Sequence, residues 1–149
     1  MSEKKLKLKI VTPERVLLES EVDSLSVPTQ MGEITILPHH IPMVANLQPG
    51  EMKAVTDGEP RLMAVAGGVI EVRPGNEIVV LADAAEEAHM IDLKRAEEAR
   101  GRARRIMSEQ ILNEEEYAAT AASLEKSLAR IRVAQKGKYR KIHTPESIQ

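Results

Sequence analysis

The chain has 149 residues, 42% hydrophobic and 30% charged, which leaves room for one or two small domains of a soluble globular class. With no Phe, no Trp, two Tyr and no Cys, it lacks the rings for base-stacking or sugar platforms, and it cannot build disulfides, Cys-ligated zinc, iron–sulfur clusters or a catalytic thiol. The net charge of −2 hides an asymmetry: 8 basic against 14 acidic residues up to Ile91, then 13 against 9 from Asp92 on. That is the pattern of two modules with different partners, and its modest basic excess does not call for nucleic acid.

Residues 1–9 carry four Lys and no long apolar run, so no signal or transit peptide is expected. No stretch reaches the roughly 20 apolar residues that span a bilayer. Any link to a membrane is therefore expected to pass through a partner.

Up to about Asp83 the chain is dense in turn residues: Pro13, Pro28, Gly32, Pro38, Pro42, Pro49–Gly50, Asp57–Gly58, Pro60, Gly67–Gly68 and Pro74–Gly75. Between them lie short runs rich in β-branched residues. Residues 4–11 alternate, with Leu6, Leu8 and Ile10 on one face and Lys5, Lys7 and Lys9 on the other. Residues 52–55 and 61–66 flank Asp57–Gly58, and residues 69–72 and 77–81 flank Pro74–Gly75–Asn76, two hairpin signals. Strands at this spacing predict an antiparallel sandwich or barrel over residues 1–85.

The texture then changes. Residues 84–135 hold one Gly and no Pro, and Ala, Glu, Arg and Leu dominate. Asp92 is placed to cap a first helix running to about Ile111, with a thin inward face of Leu93, Ala96, Ala99, Ala103 and Ile106. Asn113, with Glu116 three residues on, forms a capping box for a second. Tyr117, Ala121, Leu124, Leu128 and Ile131 repeat at coiled-coil spacing. The short connection predicts an antiparallel helical hairpin over residues 86–136. Its Ala-rich seam admits two readings: an ordinary hairpin packed on the sandwich, or one that docks reversibly and exchanges partners. The polar tail, residues 137–149, lacks periodicity and is expected to be disordered. The pattern is thus that of a β-sandwich or barrel followed by an antiparallel α-helical hairpin.

Enzyme signatures are absent: no G-x-S-x-G, no Walker loop, and Gly67–Gly68 is not followed by Lys and Ser or Thr. On a strand, His39 and His40 would point to opposite faces, which disfavours a metal site. Glu86–Glu87 and Glu97–Glu98 read as helical and solvated rather than as acid–base pairs. Arg95, Arg102 and Arg105 fall near one face of the first helix, and Lys126 and Arg130 make an i, i+4 pair on the second. Two such stripes could grip a polyphosphate or could be a solvated face with Glu98–Arg102 pairing.

The run Gly32-Glu33-Ile34-Thr35-Ile36-Leu37-Pro38-His39-His40-Ile41-Pro42 resembles a segment of the epsilon subunit of F-type ATP synthase. Leu47-Gln48-Pro49-Gly50, Ala66-Gly67-Gly68-Val69-Ile70-Glu71-Val72 and Val79-Val80-Leu81-Ala82-Asp83 resemble further motifs of that family, in the same order and spacing. The likeness extends from about Lys7 to Val133. It implies a β-sandwich followed by an antiparallel α-helical hairpin, and a non-catalytic rotor-stalk subunit of a proton- or sodium-translocating ATP synthase. That subunit would sit at the cytoplasmic face of the bacterial inner membrane, bound to it through the complex.

By this resemblance Glu33 faces the c-ring, and His40 and Thr12 face the gamma subunit. The helical pair would inhibit ATP hydrolysis at the alpha and beta subunits, through a basic group of Arg130, Arg132, Lys136 and Lys138. Ile91, Asp92, Arg95 and Ala96 match an I/L-D-x-x-R-A motif with which some bacterial epsilon subunits bind ATP without Mg²⁺. Glu86, Arg102, Lys126 and Arg130 fall on further positions used for that nucleotide. Lys126 stands where the best binders have Arg, which removes a bidentate fork. No other cofactor and no metal is implied. The alternative is a free-standing ATP-sensing module; a sandwich-fold enzyme has no residue constellation behind it.

Overall fold

The structure, a computed structural model, describes residues 5–143, with side chains to Gly137. Eight strands come first: β1 (Leu6–Val11), β2 (Val16–Val22), β3 (Ser24–Thr29), β4 (Gly32–Ile36), β5 (Met43–Thr56), β6 (Glu59–Arg73), β7 (Glu77–Ala82) and β8 (Ala85–Glu87). A 3-10 turn (Ala88–Met90) leads to helices α1 (Leu93–Glu109) and α2 (Glu114–His143). The strand order is β2-β1-β7-β6-β5-β3-β4, with β8 also on β6.

The long strands β5 and β6 make this sheet a sandwich. Their ladder runs from Met43↔Val72 to Thr56↔Glu59 and skips the Gln48/Gly67 position, where both strands bend. On one side of the bend β6 pairs β7, on the other β8. The first layer is therefore β2-β1-β7 with the Met43 end of β5 and the Arg73 end of β6. The second is β4-β3 with the other halves and β8. Leu6, Leu8, Ile10, Ile70 and Ile78 from the first layer meet Leu25, Val27, Ile36, Met52 and Met63 from the second in one buried core.

The expected sandwich and hairpin are both present, but the sandwich is not wholly antiparallel: β1 and β7, far apart in the chain, pair in parallel. Asp57 (φ 51°) and Gly58 (φ 80°) are both left-handed, as a two-residue turn matched to the strand twist requires. Gly68 has a different reason to be glycine. With φ +133°, a Cβ there would overlap the Leu81 carbonyl oxygen.

Some expectations need correction. Pro49–Gly50 and Gly67–Gly68 do not end strands; they lie inside β5 and β6, at or beside the bend between layers. His39 and His40 are not on a strand but in the turn before β5, where His39 has φ 69°. The sandwich reaches Glu87, not residue 85, so Glu86 and Glu87 are strand residues; Glu87 is buried and pairs with Arg61. α1 stops at Glu109. The tail is not irregular from residue 137: α2 continues through Gly137 to His143. One Gly costs a helix only about 1 kcal/mol, and the Lys and Arg residues that follow are good helix formers. Residues 144–149 of the expected tail lie outside the described residues.

Helix entry follows the local chemistry. Asp92 Oδ1 accepts from the Arg95 backbone N–H at 3.1 Å. Asn113 Oδ1 accepts from Glu116 N–H at 2.8 Å while Glu116 returns its carboxylate to Asn113 N–H at 3.3 Å. α1 packs on α2, and α2 packs on β5 and β6, so the hairpin is folded down on the sandwich.

Candidate functional site

The two outer faces of the sandwich differ. In β6, Met63 and Val65 point into the core, so Leu62 and Ala64 point out from the second layer. α2 covers them with Val133, which is fully buried; Ala88 and Ile91 close the sides. Two ion pairs flank this seat. Arg130 Nη2 lies 3.2 Å from Glu86 Oε2 on β8, and Lys136 Nζ lies 2.7 Å from Glu51 Oε2 on β5.

The residues suggested for a nucleotide divide here. Glu86, Lys126 and Arg130 come together around a cavity of about 10 Å³, the room of a single water. Arg130 Nε is buried there without a hydrogen-bond partner among the described residues. Asp92 is occupied as the cap of α1, Ala96 is fully buried, and Ile91 is packed on the seat. Arg95 and Arg102 are exposed on α1. Arg132, of the basic group, is exposed; Arg130 and Lys136 are held by Glu86 and Glu51. The Lys138 side chain lies outside the described residues.

The outer face of the first layer carries no helix. Along β1 and β7, Leu8, Ile10, Ile78 and Val80 point inward, so Val11 and Leu81 point out. The register sets them in line: Val16↔Val11, Val11↔Leu81 and Leu81↔Val69. This apolar row crosses four strands. Leu81 is 54% exposed and Val16 49%, and on the adjoining edge Val44 is 69% exposed and Ile41 74%. Lys would be the ordinary outward residue at such positions, and β1 has it at Lys7 and Lys9.

Thr12 and His40 lie at opposite ends of this layer. Thr12 follows Val11, is buried, and bonds Arg15 N–H and C=O through its hydroxyl, closing the β1–β2 turn. At the other end Lys7 N–H donates to Asn76 O, and Asn76 Oδ1 accepts from His39 N–H at 2.7 Å, pinning the loop of His40. His40 Nδ1 is 2.7 Å from Ile41 O. Glu33 is on β4, at the edge of the second layer, exposed and next to the β3–β4 turn where Met31 is 95% exposed. The structure thus does not gather Thr12, Glu33 and His40 into one cluster.

Sequence reasoning missed the row of Val16, Leu81 and Val69, because alternation tells which residues point out, not whether anything covers them. It missed the pairing of Glu51 with Lys136, 85 residues apart. Among the described residues no group of three or more His, Asp or Glu is placed to hold a metal, and no helix is long and apolar enough to cross a membrane.

Residues 5–88 match the family described as ATP synthase, Delta/Epsilon chain, beta-sandwich domain, and residues 90–135 match its long alpha-helix domain. The ATP synthase epsilon chain of Dehalococcoides mccartyi is 46% identical over 132 residues, covering 89% of this chain and 94% of that one. The epsilon chain of Syntrophobacter fumaroxidans is 42% identical over 132 residues, covering 89% and 97%. A chain in the mitochondrial ATP synthase of Euglena gracilis shares the fold with a TM-score of 0.72 at 19% identity, over 91% of this chain and 81% of that one. One in the central stalk and c-ring structure from Tetrahymena thermophila does so with a TM-score of 0.63 at 15% identity, over 92% and 98%. Matched over both modules, the chain belongs to the ATP synthase delta/epsilon chain family as an epsilon chain, a non-catalytic subunit of the stalk.

Proposed function

We propose that the helix-free layer of the sandwich is the surface that binds the gamma subunit, that Glu33 and the β3–β4 turn meet the c-ring, and that the helical pair restrains ATP hydrolysis at the alpha and beta subunits. The observation that carries this reading is the asymmetry of the faces. One is covered by α2, and the other exposes Leu81, Val16 and Val44. Exposed apolar rows of this extent mark surfaces that a partner covers. The chain is then held at the cytoplasmic face of the inner membrane by its partners alone, and turns with gamma and the c-ring during proton- or sodium-driven synthesis.

The brake is electrostatic. In the folded-down state two of its cations, Arg130 and Lys136, are taken by Glu86 and Glu51; on extension they exchange these for carboxylates of the beta subunit. Exposed pairs contribute about 0–1 kcal/mol each, so Arg132 and Lys138 must act with them.

ATP without Mg²⁺ binds the folded-down form and opposes the brake. Arg130 Nε, buried and without a hydrogen-bond partner among the described residues, and the neighbouring Lys126 support an anion at this point. The nucleotide displaces Glu86 from Arg130 to enter, after which Arg95 and Arg102 reach the phosphates from α1. Glu86 and Asp92 read the adenine or ribose end, beside Ile91 and Ala96. Lys126 offers a point charge rather than a fork, so binding is loose.

The experiment is reconstitution of an epsilon-free ATP synthase with the full chain and with a chain ending after Met90. The buried core of the sandwich lies wholly before that point. The short chain should bind and restore coupled synthesis while leaving hydrolysis unrestrained. A folded short chain that does not bind gamma refutes the assignment of the sandwich. One that binds yet restrains hydrolysis as the full chain does refutes the assignment of the helices.

A further inference from the structure

Gly137 lies in the interior of α2, where no turn or left-handed backbone calls for glycine. Helix propensity alone would favour Ala there. The reason for glycine is contact: a Cβ at Gly137 would sit 2.9 Å from the Cβ of Ala88 in the 3-10 turn. That is closer than methyl groups pack, and Ala88 is too short to swing aside. One residue earlier, Lys136 reaches Glu51 across the same junction, and two turns back Arg130 reaches Glu86. Between the two pairs lies Val133, the one α2 side chain in the small buried cluster with Leu62 and Ala64. The seat is thus thin in apolar area and fastened at both ends by charge, and its closeness depends on a missing methyl.

We propose that Gly137 against Ala88, with Lys136–Glu51 and Arg130–Glu86, forms a clasp that sets how readily the helical pair leaves the sandwich. The proposal rests on the reading that the pair leaves at all. It locates the control away from the gamma-facing layer; Arg130–Glu86 is shared with the nucleotide residues, whereas Gly137, Ala88 and Lys136–Glu51 are not. The contact made by a methyl at position 137 acts on the docked state alone, because a released helix has nothing opposite that position, while the gain in helix propensity is common to both states. Removing the Glu51 charge also acts on the docked state alone, but through an interaction that salt screens.

These two effects have different signatures. The chain has no Cys, so a fluorophore pair can be attached at Lys53→Cys on β5 and Ser123→Cys on α2, both exposed. Energy transfer in the full chain, followed through a urea titration, reads release of the hairpin; far-ultraviolet dichroism of the same samples reads unfolding. Gly137→Ala should move the release midpoint to lower urea, with the docked-to-released ratio falling about fivefold, the low end of what overpacking a tight contact costs. The shift should persist at high salt. Glu51→Gln should also lower the midpoint, but only at low salt, and its effect should vanish near 1 M, where the screening length is about 3 Å.

The outcome that overturns the proposal is a Gly137→Ala midpoint equal to or higher than that of the parent, which is what helix propensity by itself would give. A Gly137→Ala chain that releases early yet leaves ATP hydrolysis in the assembled complex unchanged upholds the clasp and instead refutes the brake. The two readings thus fail separately.

Discussion

Leu81→Asp is the substitution that tests the gamma-facing layer most directly. Leu81 is 54% exposed, flanked on its own face by Val11 and Val69. Fully burying a Leu side chain is worth about 1.5–3 kcal/mol, so roughly half of that, about 0.8–1.5 kcal/mol, remains for a partner to gain. Replacement by Ala should therefore weaken binding to the epsilon-free complex about tenfold. Asp loses the same burial and adds a carboxylate that the partner must desolvate, a cost of several kcal/mol if nothing pairs with it. Together they come to at least about 3 kcal/mol, or more than a hundredfold in affinity. The other half of the Leu81 contacts lies within the subunit, so its own stability should fall by only about 1 kcal/mol and the fold should persist. Ile111→Asp, fully exposed between the helices, is the control and should leave binding unchanged. The assay is titration of labelled full-length chain against the epsilon-free complex, with thermal melting of each variant alongside. A folded Leu81→Asp chain that binds as tightly as the parent would refute the reasoning, and the apolar row would then be surface without a partner.

The remaining predictions probe the fold, the brake and the nucleotide. Gly68→Ala should cost about 3–5 kcal/mol in urea denaturation, combining a forbidden φ with overpacking against the Leu81 carbonyl. Gly58→Ala, also left-handed but with open space around it, should cost only about 1–2 kcal/mol; equal losses would show that the close approach is not the cause. Arg132→Glu should raise ATP hydrolysis by the assembled complex, more so at low salt, whereas Glu51→Gln, which frees Lys136, should lower it; the same sign for both would contradict the exchange of carboxylate partners. Calorimetric titration of the isolated chain should give ATP binding near millimolar, roughly −4 kcal/mol, and Arg95→Ala should weaken it. No heat at several millimolar, or equal binding by that variant, would reduce residues 91–96 to a capped helix start.

Those parts of the fold written in local chemistry could be read from the sequence. Asp57–Gly58 makes a hairpin because two adjacent left-handed residues suit few other structures, and Asp92, Asn113 and Glu116 satisfy amides within three residues of themselves. Pro49–Gly50 and Gly67–Gly68 misled for the same reason. Turn residues report unusual backbone angles or close approach, not whether the chain reverses, and here they serve a bend that carries β5 and β6 from one layer to the other. Gly137 likewise resembles a helix end until its neighbour Ala88, 49 residues away, is in view. The site divides along the same line. Glu33, His40 and the Ile91 to Ala96 segment stand out as motifs. The pairing of Lys136 with Glu51 and the alignment of Val16, Leu81 and Val69 exist only through register and docking.

One feature of the sequence is informative about function without any motif. The helical module is rich in Ala, and the structure turns that composition into an energy. Beyond its ion pairs, α2 sets Val133 on Leu62 and Ala64, and its other buried side chains are mostly Ala, such as Ala129 and Ala134, so the apolar contribution is a few kcal/mol, with about 1.5–3 kcal/mol from Val133. The two partly buried ion pairs add only modestly, because burying the charges offsets much of their attraction. The sandwich, by contrast, is closed by large aliphatic side chains from both layers, nearly all fully buried. A module held by a few kcal/mol can be moved by a ligand or a partner whose affinity for the two positions differs by that amount, which is within reach of a few charged contacts or one bound nucleotide. Filling the seam with Leu would make a better protein by the measure of stability and would place the hairpin beyond the reach of such signals.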